Sequence, residues 1–207
     1  LYLSDAMSLV AHIQSQYDKG ITLEWVGISM GGLIGMILAI QPNVLVPIKK
    51  LVLSDIGPLI PAVALRRIAD YVGKDPRFDS FEAFKNYMKA ISVSFGPLTE
   101  EQWNHMAIHS AHQYEDGSYG FRYDPRIAIS FKEHEIQDIY LWEQWDQLKV
   151  PTLVLRGMQS DVLTIETAAQ MQARGAKAKV VELPGVGHAP MIMDDQQIQI
   201  VRDFILN

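Results

Sequence analysis

Short apolar runs alternate along this chain with stretches whose apolar positions recur every three or four residues. Ala6, Leu9, Val10 and Ile13 form such a face within the first 20 residues. They predict a helix, with Ser4 or Asp5 placed to cap its start and Gly20 to end it. Four compact runs, 23–26, 51–53, 152–155 and 179–183, read as buried strands. They are rich in Val and Leu, and several are bounded by Gly or Pro. Helical patterns follow three of them, over 30–40, 165–173 and 196–206. Strands alternating with helices predict an α/β fold, its mostly parallel sheet covered by helices on both faces.

The alternation stops between the second and third strands. Residues 58–148 read as helical or irregular, with helices predicted over 62–71, 81–94, 100–112 and 135–148. So long a connection between adjacent strands predicts an inserted helical subdomain, with 1–57 and 149–207 forming the core. Its aromatic and Met residues include Tyr71, Phe81, Phe84, Tyr87, Met88, Trp103, Met106, Trp142 and Trp145. Most are expected to hold the helices together, and the remainder suit a cap over an apolar pocket.

Composition narrows the class. A chain of 207 residues, 48% hydrophobic and 20% charged, suits a globular protein with one sizeable core. Its net charge of −6, with no clustering of Lys and Arg, argues against a nucleic-acid partner. No apolar run is long enough to cross a bilayer, so no membrane association is expected. Cysteine is absent from the sequence. That removes disulfides, a thiolate nucleophile and Cys-based metal sites, and with the mild acidity it fits a cytoplasmic location.

Each predicted strand runs into a polar residue suited to catalysis. The first leads into Gly27-Ile28-Ser29-Met30-Gly31, the second into Ser54-Asp55-Ile56-Gly57-Pro58. The third leads into Arg156-Gly157-Met158-Gln159-Ser160-Asp161, the fourth into Pro184-Gly185-Val186-Gly187-His188-Ala189-Pro190. Ligands bind beyond the carboxyl ends of strands in open parallel sheets. Gly-x-Ser-x-Gly between strand and helix lifts a serine hydroxyl above the sheet on a tight turn, and Gly32 and Gly35 would let the helix pack closely. The amide of Met30, at the helix start, is placed to donate to an oxyanion. A serine needs a base, and His188 on its Gly/Pro-flanked loop is the candidate. The base in turn needs a carboxylate. Asp161 is favoured because it gives the chain order Ser, Asp, His; Asp55 competes, although Asp55-Ile56-Gly57-Pro58 also reads as a turn. His105, His109 and His112 share a face of a predicted helix, read as solvated or pocket-lining and not as a metal site. With no Walker-type loop and no Gly-x-Gly-x-x-Gly, no cofactor is expected.

These motifs resemble the α/β-hydrolase superfamily over essentially the whole chain, and most closely its capped bacterial esterases and carbon–carbon bond hydrolases. The resemblance rests on 25–32, on 51–58, on 151–157 with Asp161, and on 187–190. It implies Ser29 as nucleophile, Asp161 as acid, His188 as base and a helical cap within the insertion. Serine at position 29 departs from the haloalkane dehalogenases and epoxide hydrolases, which carry aspartate there. Ala189 departs from the Trp that often follows the histidine in ring-cleavage hydrolases. Nothing matches the family's His-Gly loop, which supplies a second oxyanion amide. By the family pattern the chain starts near the helix before the nucleophile strand, and roughly 70 to 100 upstream residues are expected.

The expected activity is hydrolysis of a small-molecule carboxylic ester through an acyl-enzyme. The alternatives are carbon–carbon bond hydrolysis of a ring-cleavage dienoate by the same triad, and a non-catalytic receptor or scaffold of the same fold.

Overall fold

The computed structural model describes residues 1–17, 21–42 and 44–207. Helix α1 (Tyr2–Ser15) has no side-chain cap. Ser4 and Asp5, expected to cap it, lie inside its first turns, and Gly20 lies outside the described residues. Ala6 and Val10 are buried, whereas Leu9 and Ile13 are exposed. Strand β1 (Leu23–Ile28), helix α2 (Met30–Ala39) and strand β2 (Ile48–Ser54) follow.

The insertion then begins with β3 (Leu59–Ile60), α3 (Ala62–Ala69), α4 (Phe81–Ile91) and α5 (Glu100–Ser110). It continues through β4 (Ala111–Gln113), β5 (Tyr119–Phe121), α6 (Ile129–Glu133), β6 (Ile139–Tyr140) and α7 (Trp142–Gln147). The chain returns to the sheet with β7 (Thr152–Gly157), α8 (Ile165–Ala173), β8 (Lys179–Leu183) and α9 (Asp195–Leu206). No helix among the described residues is long and apolar enough to cross a membrane.

The four long strands form one parallel sheet in the order β1-β2-β7-β8, with β1 at an edge. Alternate residues face opposite sides, as the two-residue period of a strand requires. Leu51, Leu53 and Val154 pack on one face with Met36, Leu38, Trp145 and Leu163. Val52, Leu153 and Leu155 pack on the other with Leu183 and Val201. Every one of these side chains except Leu183 and Val201 is at most 1% exposed, so both faces of the central strands are dry. Phe84, Met88, Trp103 and Ala107 of α4 and α5 make a separate cluster inside the insertion.

Strand pairing cuts short two predicted helices, and a third ends early in a 3-10 turn. The helix expected over 135–148 is confined to α7, because Leu59 and Ile60 pair antiparallel with Tyr140 and Ile139 and the Leu141 amide donates to the Pro58 carbonyl at 2.6 Å. The one expected over 100–112 stops at Ser110, where β4 pairs with β5. The one expected over 81–94 stops at Ile91 and gives way to a 3-10 turn at Val93–Phe95. Trp145 is not a cap residue. It is fully buried in the core of the sheet, and its indole N–H donates to the Arg174 carbonyl at 3.0 Å.

Candidate active site

Register explains what meets at the carboxyl edge of the sheet. Ile28 pairs with Ser54 on the neighbouring parallel strand, so Ser29 and Asp55 are the next residues at the same level. The Ser29 amide donates to the Ser54 carbonyl at 3.0 Å, and the Asp55 amide to the Leu155 carbonyl at 2.7 Å. Both residues then leave the strands at positive φ, 50° for Ser29 and 55° for Asp55. Non-glycine residues adopt that region at a cost, and it recurs at functional turns.

Close backbone approach shapes the turn at Ser29. A Cβ on Gly27 would lie 2.4 Å from the Gly31 carbonyl and from the Gly32 amide nitrogen, so only glycine fits. At Gly31 the same atom would meet nothing within 4 Å. Gly32 and Gly35 do allow close packing, the first against Ile56 and the second against the Trp25 ring.

His188 joins the two strand ends. Its Nε2 lies 2.8 Å from Ser29 Oγ and its Nδ1 lies 2.9 Å from Asp55 Oδ2. The imidazole is 7% exposed and the Asp55 side chain is fully buried. A buried carboxylate requires several donors. The Gly157 amide donates to Asp55 Oδ1 at 2.8 Å, and the Ser160 hydroxyl donates to Oδ2. Gly157 also lets the histidine loop come close to the end of β7, since a Cβ there would lie 2.3 Å from the Gly187 carbonyl oxygen.

The structure thus brings Ser29 and His188 together and corrects the placement of the expected acid. Asp161 does not face His188. Its carboxylate turns outward to Arg67 of α3, which donates Nε to Oδ2 at 2.6 Å and Nη2 to Oδ1 at 2.7 Å. The reason is local: Ser160 takes the inward position in the loop after β7, leaving its neighbour to point away. The side-chain hydrogen bonds of Arg67, aided by its charge, hold the Asp161 carboxyl below the usual carboxylate range. The same hydrogen bonds raise the Arg67 guanidinium.

The insertion grips the histidine loop. Ser94 donates its hydroxyl to the His188 carbonyl, and its own carbonyl accepts from the Gly187 amide at 2.7 Å. Gln102 Nε2 donates to the Met193 carbonyl at 2.6 Å. Ser94, Ser160 and Arg67 carried no sequence motif, and their roles emerge only from contacts across 93 or more residues of chain.

A cavity of about 790 Å³ opens above Ser29, His188 and Met30. Ile28, Leu33 and Ile56 line it from the core, and Leu65, Ile68 and Phe131 line it from the insertion. Its acidic lining residues are Glu135 and Asp138, both exposed. A second cavity of about 650 Å³ runs along α1 and shares no lining residue with the first. His105 and His109 contact each other with ring centroids 4.5 Å apart, while His112 lies on β4 against Tyr114. No group of three potential ligands gathers as a metal site among the described residues.

A parallel sheet that delivers a Gly-x-Ser-x-Gly turn and a histidine to one edge defines an α/β hydrolase, and the chain belongs to the alpha/beta hydrolase family, whose model matches residues 8–201. It is 41% identical over 211 residues to the 3-hydroxybutyrate-oligomer hydrolase of Cupriavidus necator, covering 98% of this chain and 70% of that protein. A crystal structure from Rickettsia typhi superposes with a TM-score of 0.87 at 31% identity, over 99% of this chain and 68% of that one. An alpha/beta hydrolase from Novosphingobium aromaticivorans gives 0.83 at 30% identity, over 99% and 70%.

Proposed function

We propose that this hydrolase is a serine esterase that works through an acyl-enzyme, with Ser29 as nucleophile, His188 as base and Asp55 as acid. The observation that carries this reading is the continuous chain from Ser29 Oγ through His188 to Asp55, with contacts of 2.8 and 2.9 Å, at the floor of an apolar cavity.

Ser29 Oγ attacks the ester carbonyl carbon while His188 Nε2 takes the hydroxyl proton. The carbonyl oxygen becomes an oxyanion beside the Met30 amide, which donates to it from the first position of α2. Collapse breaks the bond to the leaving oxygen, which receives the proton from His188 and departs as an alcohol. Water then attacks the acyl-enzyme, giving its proton to His188; the acyl–Oγ bond breaks, His188 returns the proton to Ser29 Oγ, and the carboxylic acid leaves. Asp55 holds the Nδ1–H tautomer and stabilises the imidazolium at both stages. The insertion acts as a cap, and its Leu65, Ile68 and Phe131 favour an uncharged, apolar acyl portion.

For the substrate class we propose short oligoesters of a hydroxy acid. The 41% identity to a 3-hydroxybutyrate-oligomer hydrolase supports this choice, as does a cavity large enough for more than one such unit.

The test is hydrolysis of 3-hydroxybutyrate dimers and trimers alongside p-nitrophenyl butyrate and a ring-cleavage dienoate, with a fluorophosphonate probe mapped by mass spectrometry. Oligomer and butyrate turnover with the adduct on Ser29, all lost in a folded Ser29→Ala variant, is expected. Dienoate cleavage alone, or an adduct on another serine, would overturn the reading.

A further inference from the structure

Ser160 lies in the loop after β7 and is absent from the lining of the cavity above Ser29. Its hydroxyl nevertheless reaches Asp55 Oδ2, the same oxygen that faces His188 Nδ1. A hydroxyl offers one proton and two acceptor lone pairs. Both acceptor positions of Ser160 are taken, because the amides of Val162 and Leu163 each donate to Oγ at 3.1 Å. One direction remains for the proton, and it points at Asp55.

The backbone therefore fixes the polarity of this contact: Ser160 donates and Asp55 accepts. The Gly157 amide holds Oδ1 at 2.8 Å while Ser160 holds Oδ2, so the end of β7 and the loop after it pin both oxygens of the carboxylate. Pinning both oxygens stops the carboxylate from rotating about its terminal bond and keeps Oδ2 aimed at His188. The geometry assigns Ser160 as a positioning residue for the Ser29–His188–Asp55 triad, acting through Asp55 and never touching substrate. With Ser160 gone, a single amide and the imidazole would hold a fully buried carboxylate. This assignment rests on the serine-esterase reading above.

The experiment uses the full chain and compares Ser160→Ala, Ser160→Cys and Ser160→Thr with the parent enzyme on p-nitrophenyl butyrate. Rates are taken per folded molecule, and the downfield Nδ1 proton of the histidine is followed by NMR. Ser160→Ala is expected to lower kcat by about 10- to 100-fold, with KM changed by no more than about twofold, and to move the downfield resonance. Ser160→Thr, which keeps the hydroxyl, should retain both the rate and the resonance. If Ser160→Ala does not fold, Ser160→Cys decides by the same criteria, since its thiol fills similar space but donates weakly. An unchanged kcat and resonance in the hydroxyl-free variants Ser160→Ala and Ser160→Cys, whatever happens to Tm, would overturn the assignment, as would equal loss in Ser160→Thr. Failure of the parent enzyme to hydrolyse any ester would instead overturn the esterase reading, and the resonance would still report on the contact between Asp55 and His188.

Discussion

Asp55 Oδ2 stands 2.9 Å from His188 Nδ1, although 133 residues separate the two in the chain. The contact depends on β2 lying between β1 and β7 in the sheet. That order carries Asp55 to the strand end beside Ser29, and the histidine loop closes over both. Asp161, six residues after Leu155, has its carboxylate engaged by a guanidinium from the insertion.

The two aspartates should therefore behave differently when neutralised. Asp55→Asn is expected to lower kcat by about three to four orders of magnitude, as loss of a tautomer-fixing carboxylate does. Asp161→Asn should leave kcat within about tenfold of the parent, since it removes only a neighbouring charge. Steady-state kinetics on p-nitrophenyl butyrate decides this, and a larger loss from Asp161→Asn would reverse the assignment.

Ser94 links the insertion to the loop that carries His188. Removing its hydroxyl in Ser94→Ala leaves the main-chain bond from Gly187 to Ser94 but frees the His188 carbonyl. The loss of one supporting bond should lower kcat by about tenfold. Faster amide exchange at Gly187 should accompany it, because the loop is then held to the insertion by fewer bonds. An unchanged rate together with unchanged exchange would show that Ser94 does not help to hold the loop.

What could be read from the sequence is what the chain encodes locally. Ser29 was legible because strand, turn and helix are contiguous, so one stretch of sequence carries the whole turn. His188 was legible because Gly187 and Pro190 mark a loop directly after a strand. The choice between Asp55 and Asp161 was not. It depends on strand order, on Ser160 taking the inward place in its loop, and on Arg67 arriving from a helix 94 residues upstream of Asp161. The short β3–β6 pair was hidden for the same reason. Residues 139–140 carry a helical apolar rhythm, and only their partners at 59–60 make them a strand. Local pattern loses wherever the partner is distant.

The two motif glycines should also part company. Gly27→Ala places a methyl 2.4 Å from backbone atoms of Gly31 and Gly32, which cannot move without unmaking the turn at Ser29. A destabilisation of about 3 kcal/mol or more is expected, with loss of activity. Gly31→Ala meets nothing within 4 Å and lies in α2. It should be neutral or stabilising by about 0.5–1 kcal/mol, the helix preference for Ala over Gly. Chemical denaturation of both variants compares them directly, and equal destabilisation would show that the crowding at Gly27 is not what selects glycine there.

The ion pair between Arg67 and Asp161 should leave a signature in the pH dependence of stability. Arg67 holds the Asp161 carboxyl below its ordinary value, chiefly through the paired hydrogen bonds and then through its charge. A carboxyl that ionises more readily folded than unfolded stabilises the fold fully above its ordinary value. That contribution fades as the pH falls through the lowered one. Both side chains are somewhat more than a third exposed, so solvent screens the effect and it should be small. Asp161→Asn is therefore expected to melt somewhat below the parent at neutral pH, with the gap closing as the solution is acidified through the carboxylate range. Arg67 stays charged throughout that range, so closure of the gap reports protonation of Asp161 itself. Raising the salt concentration at neutral pH should narrow the gap as well. A gap that persists unchanged at acid pH and in high salt would mean that Asp161 supports the loop by packing or by its backbone, and not by its charge.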